Sequence, residues 1–246
     1  MGETEIRIEG KENLKNYTLI EGFPGIGLVG TIASGYLVEK RKMRAIGYVH
    51  SDKFPPMTTI HDGRPFFPAR IYKDPKGNFC VLLAEFVIPA SIVYDLSKSI
   101  LDFADQYKIK QIISLAGMTS PKPEENRKIY GIASNDEMSR YIKAKNVTLI
   151  KEGVTTGVSG VLMAKCSIRN FPAVSLLAEA KRGYPDPRAA AAVLEKLEDL
   201  IGIKVDTKAL VKEASNIEAK MNKLLTQLKK EKPYKEVKES YPAMYE

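Results

Sequence analysis

From Tyr17 to about residue 180, short β-rich runs alternate with helical stretches, and this alternation constrains the fold more than any other feature of the sequence. Tyr17-Glu21, Ala45-His50, Pro65-Tyr72, Asn78-Phe86, Ile109-Leu115, Val147-Ile150 and Ala173-Leu177 read as strands. Pro75-Lys76-Gly77 supplies turn chemistry for a hairpin between two of them. The Ile109-Leu115 run is nearly all apolar, as expected of a strand covered on both faces. Helices are expected over residues 28–40, 91–107 and 158–167. In the second, Ile92, Leu96, Ile100 and Phe103 share one face. A chain of this pattern folds as an α/β, three-layer helix-sheet-helix sandwich with a mostly parallel sheet.

The 246 residues allow one large domain with an extension. The expected α/β domain covers residues 1–205, a heptad-patterned helix 206–231 and a flexible arm 232–246. Asp186-Pro187 is a helix start, an N-cap followed by proline at the first helical position, and Gly202 closes that helix. Thr207 is placed to cap the C-terminal helix. There Leu210, Ala214, Ile217, Met221, Leu224 and Leu228 follow a 4-3-4-3-4 spacing. This seam packs either on its own domain or between subunits, and the Lys-rich flanks favour the second. Beyond Pro233 the chain has mixed charges and no apolar periodicity.

Cys80 and Cys166, the only cysteines, lie in apolar runs and read as buried thiols of a reduced, intracellular protein. With no CxxC and only His50 and His61, no metal site is expected. The N-terminal segment does not resemble a signal peptide and no window reaches transmembrane length, so a cytoplasmic protein without a membrane partner is expected. The net charge of +8 is spread among acids, without the basic-aromatic motif of an RNA-binding module, so no nucleic-acid partner is expected.

Gly25-Ile26-Gly27-Leu28-Val29-Gly30 fits GxGxxG between a strand and a helix, with Asp52 after the second strand. A dinucleotide site needs that context. The same glycines also serve a tight turn and close helix-sheet packing.

The wider string Glu21-Gly22-Phe23-Pro24-Gly25-Ile26-Gly27-Leu28-Val29-Gly30 resembles the first motif of the PAC2 family, the proteasome assembly chaperones and their archaeal homologues. Leu83-Ala84-Glu85-Phe86-Val87-Ile88-Pro89-Ala90 resembles its second segment. Gly153-Val154-Thr155-Thr156-Gly157-Val158-Ser159-Gly160 and Gly183-Tyr184-Pro185-Asp186-Pro187-Arg188-Ala189-Ala190 resemble its later motifs. The resemblance implies a sandwich shaped like purine nucleoside phosphorylases, no settled catalytic activity, no cofactor, and structural roles for Gly22, Pro24, Gly25, Gly27 and Gly30.

Met244-Tyr245-Glu246 is similar to the hydrophobic-Tyr-any residue ending of some archaeal members and of proteasome-activating ATPases. The implied partner is the 20S proteasome α-ring. Tyr245 would insert an amphipathic ring, Met244 would fill an apolar groove, and the terminal carboxylate would meet a lysine. Several copies on a homo-oligomer add avidity.

No catalytic constellation emerges from the residues. Ser159 is not in GxSxG, and no phosphate loop of the GxxxxGK type occurs. Asp52, Glu85, Glu179 and Asp186 are acids near strand ends whose convergence the sequence leaves open, and Arg127 and Lys128 read as loop surface. A proteasome activator or assembly factor is therefore expected. The alternatives are a scaffold completed by a second small protein and a nucleotide-binding enzyme using the glycine loop.

Overall fold

A computed structural model describes residues 4–212 apart from 122, 125 and 182, together with 216, 217 and 226. The first half of the domain runs β1 (Glu5–Ile8), β2 (Thr18–Gly22), α1 (Val29–Lys40), β3 (Arg44–His50), β4 (Thr59–His61), β5 (Arg64–Phe66), β6 (Ala69–Lys73) and β7 (Phe79–Ala84). The second half runs α2 (Val93–Gln106), β8 (Gln111–Thr119), β9 (Ile129–Ala133), α3 (Asp136–Lys143), β10 (Thr148–Leu149), α4 (Gly157–Ile168), β11 (Ala173–Ala180), α5 (Pro187–Ile201) and α6 (Thr207–Lys212). Single 3-10 turns, Ile26–Leu28 and Ala90–Ile92, lead into α1 and α2.

Among the described residues, nine strands form one sheet in the order β1-β3-β6-β7-β2-β8-β11-β9-β10, and β4 and β5 make a separate hairpin. The centre, β7-β2-β8-β11, is parallel. Antiparallel pairs flank it on both sides. Alternation along each strand feeds two cores. Ile20, Val81, Ile113 and Val174 face α1, α3, α5 and α6, whereas Leu19, Cys80, Leu82 and Ile112 face α2 and α4. The result is the expected helix-sheet-helix sandwich. Burial pushes the thiol of Cys166 up to about 12, and raises that of Cys80 as well.

Helix signals read from sequence sit where the chain uses them. Ile92, Leu96, Ile100 and Phe103 are all buried. Asp186 caps α5 by accepting the Ala189 amide at 3.0 Å, and Gly202 ends it in the left-handed region at φ 70°. α1 is buried nearly all round, from Val29 to Ser34 and again at Tyr36 and Leu37, because it lies between the sheet and α5.

Other expectations need correction. The strand expected over Pro65-Tyr72 is two strands, because Pro68 has no amide to continue a ladder and its carbonyl accepts from Glu85 instead. The sequence reading missed β1, β4, β9 and α3. α3 has eight residues with only Met138 and Ile142 buried, which is too few for a helical period to stand out, although Asn135 caps it by accepting the Met138 amide. Thr207 does not cap α6. Its hydroxyl donates to Glu195, and the Asp206 carboxylate accepts the Lys208 amide.

Of the heptad seam, Leu210 is fully buried in the core shared with α5, and Ile217 packs on the same cluster. Ala214, Met221, Leu224 and Leu228, like Met244, Tyr245 and Glu246, lie outside the described residues. Among the described residues no helix is long and apolar enough to cross a membrane.

Candidate functional site

The motif segments meet above the C-terminal ends of the parallel strands, where open α/β sheets place their sites. Glu21, near the end of β2, organises them. Its side chain is wholly buried, and Oε1 accepts the Phe23 amide at 3.0 Å. Oε2 accepts from Ser114 Oγ at 2.5 Å and Ser159 Oγ at 2.9 Å. One carboxyl group thus ties β2 to β8 and to the first turn of α4. Burial pushes its pKa up, and the three hydrogen bonds oppose that rise.

The glycine loop is packed rather than open. A Cβ on Gly30 would lie 2.2 Å from the Leu115 carbonyl oxygen, and one on Gly22 would lie 2.4 Å from Ser34 Oγ. Gly27 has φ +61° and leaves 2.9 Å between a notional Cβ and Ala180. These absences of side chain let α1 press directly on the sheet. Pro24, Gly25 and Ile26 form the accessible tip.

Two of the amides that could meet a pyrophosphate are already used. The Leu28 amide donates to Gly25 O at 3.0 Å, and the Val29 amide donates to Ile26 O. The sheet order separates the acid as well. β6 and β7 lie between β2 and β3, so Asp52 sits two strands away from the loop it would have to serve. The arrangement does not fit a dinucleotide site.

Behind the loop, Asp186 joins three segments. Its amide donates to Gly27 O at 2.9 Å, and its carboxylate accepts from Ala189 N and from Lys181 N. It also pairs with Arg127 at 3.1 Å, with side chains only 6% and 8% exposed. The sequence reading of Arg127 as loop surface is therefore wrong; its partner lies 59 residues away and no local pattern announces it. Lys128 is exposed and pairs with Glu124.

The four acids near strand ends do not converge. Asp52 lies beside His50 at 3.5 Å, and Glu85 holds Arg70 at 2.7 Å and His61 at 2.9 Å. Asp186 holds Arg127, and Glu179 lies near the charge of Lys128. Asp186 and Glu85 are each held against an arginine, as structural ion pairs are built. Among the described residues no cluster of three or more His, Cys, Asp or Glu could hold a metal ion. The loops at this edge instead present apolar groups: Ile26 is 39% exposed, Tyr184 67% and Val154 81%.

The site is thus a set of packed loops around a buried polar tie on an α/β sandwich. The chain belongs to the PAC2 family, whose profile matches residues 19–225. An uncharacterized protein of Methanocaldococcus jannaschii is 34% identical over 219 residues, which are 89% of this chain and 90% of that one. The crystal structure of Pyrococcus furiosus PbaA, described as an archaeal homolog of proteasome-assembly chaperone, superposes with a TM-score of 0.87 and 33% identity, covering 94% of this chain and 100% of that one. Pyrococcus furiosus PbaB, described as an archaeal proteasome activator, shares the fold with a TM-score of 0.76 and 24% identity, covering 91% of this chain and 99% of that one.

Proposed function

We propose that this chain is a non-enzymatic, cytoplasmic homo-oligomer that binds the 20S proteasome α-ring through Met244, Tyr245 and Glu246. It acts there as an ATP-independent activator, an assembly factor or both. The observation that carries this reading is the 33% identity to PbaA across the whole of that chain. Two features support it. The Leu28 and Val29 amides are satisfied within the loop, which counts against a nucleotide enzyme. The exposed groups at the loop edge include Ile26, Val154 and Tyr184, as a protein contact needs. Gate opening further requires that the tails bind the open ring better than the closed one.

The test compares the intact chain with one lacking Met244-Tyr245-Glu246 in binding to purified archaeal 20S proteasome, with peptidase rate as a second readout. Loss of binding with the three residues establishes the docking segment. A parallel change in peptidase rate makes the protein an activator, and binding without activation makes it an assembly factor. If the intact chain does not bind even at low salt, the reading fails.

A further inference from the structure

α4 is apolar on both sides, but its own domain covers only one. Val158, Leu162, Met163 and Cys166 are buried against the sheet and α2. On the outward side Gly157, Val161, Ala164 and Ile168 follow a 4-3-4 spacing, which places them within one narrow helical face. Gly157 and Ala164 are exposed, Val161 is half-buried and packs in part on the domain's own core, and Ile168 is 86% exposed. Lys165 is the only charged residue of the helix. Its ammonium lies 5.8 Å from the ring centre of Tyr94, and that ring is itself 66% exposed. A helix that is apolar all round is ordinarily covered all round.

The pattern of sizes along the face says what covers it. An antiparallel copy of α4, related by a two-fold axis passing between residues 162 and 163, sets Gly157 against Ile168 of the second copy and Val161 against its Ala164. A small residue faces a larger one at every level, and symmetry repeats each contact. The rim is self-complementary too. Lys53, Lys98 and Arg169 are interleaved with Asp95, Asp102 and Asp105 around α2 and the end of α4. A copy of this chain therefore meets a mixed rim, although the chain as a whole carries +8. An acidic partner selected by that overall charge would find no net attraction here.

We infer that the outer face of α4 is a self-association surface on which a second copy of this chain packs with its α4 antiparallel. The inference does not depend on proteasome binding, because it concerns a helix face remote in sequence from Met244-Tyr245-Glu246. Twelve residues make a helix of about 18 Å. A single pair of such helices lies at the low end of specific interfaces, so association should vary over micromolar concentrations.

The experiment is sedimentation of the full chain against concentration, comparing wild type with Ile168→Glu. Because Ile168 is already exposed, the variant should fold, with an unchanged melting curve at low concentration. The expected result is at least a tenfold weakening of association. Register is tested with Ala164→Cys and Ile168→Cys and a short bismaleimide, the native Cys80 and Cys166 being buried. Across the axis the two copies of residue 164 are neighbours, whereas the two copies of residue 168 are about 16 Å apart along the helix. Ala164→Cys should cross-link between chains and Ile168→Cys should not. A monomeric wild type, an Ile168→Glu chain that associates as wild type does, or equal cross-linking of both cysteine variants overturns the proposal. A variant that only melts earlier, without change in mass, puts another segment of the chain on this face and overturns it as well.

Discussion

Glu21 and Ser159, 138 residues apart in the chain, share a hydrogen bond of 2.9 Å above the centre of the sheet. Ser114 donates to the same carboxylate oxygen, so one buried acid joins the β2, β8 and α4 segments that carry the loops of the binding edge. Removing the hydroxyl with Ser159→Ala should cost about 1 kcal/mol and should loosen residues 151–157 more than the rest of the domain. Hydrogen exchange on the variant checks this, and uniform exchange changes would argue against a local tie.

The same acid sets a pH dependence. Burial raises the Glu21 pKa in the folded protein, so the folded state holds that proton more tightly than the unfolded chain does. Its contribution to stability is fully present below the ordinary carboxyl value and is lost as pH rises through the folded pKa. Glu21→Gln keeps an acceptor for the Phe23 amide and cannot ionise. Its melting temperature should decline less than that of wild type between acid and neutral pH. Superimposable pH profiles would show that Glu21 does not supply the dependence.

Asp186→Ala removes the α5 cap and leaves the Arg127 guanidinium buried without its carboxylate. Breaking one side of a buried pair costs about 3–5 kcal/mol. The double variant Asp186→Ala with Arg127→Met should recover part of that loss, because no charge is then stranded. Urea unfolding of the two variants measures both figures.

Glycines in the loop should respond unequally. Gly30→Ala places a methyl group 2.2 Å from a backbone oxygen of β8 and should destabilise by about 1–3 kcal/mol or more. Gly25→Ala meets nothing within 4 Å, and its φ of −157° suits any residue, so thermal unfolding should barely change. A nucleotide-cradling loop would give a different signature, in which the exposed glycine matters for ligand binding.

In the C-terminal segment, Ile217→Asp should lower the stability of the monomeric domain, because Ile217 packs on the core that contains Leu210. Dilute thermal unfolding measures it. An effect seen only on the oligomer's mass would assign Ile217 to a subunit contact instead.

The local grammar of the fold was legible. Asp186-Pro187 and Gly202 marked the ends of α5, the Ile92–Phe103 face marked α2, and the ordered glycine motifs marked the family. The weak elements were not: α3 carries too little apolar surface to show a period, and Pro68 cuts a run that reads as one strand.

By itself the sequence determined the strongly patterned helices and strands, their apolar faces, and which family the chain belongs to, because backbone capping and side-chain periodicity act within a few residues. Tertiary structure alone decided that β6 and β7 separate Asp52 from the glycine loop, that Arg127 is buried against Asp186, and that Ser114 and Ser159 converge on Glu21. These relations join residues far apart in the chain. They depend on strand order and on how closely α1 approaches the sheet, which the whole packed domain selects and no local pattern encodes.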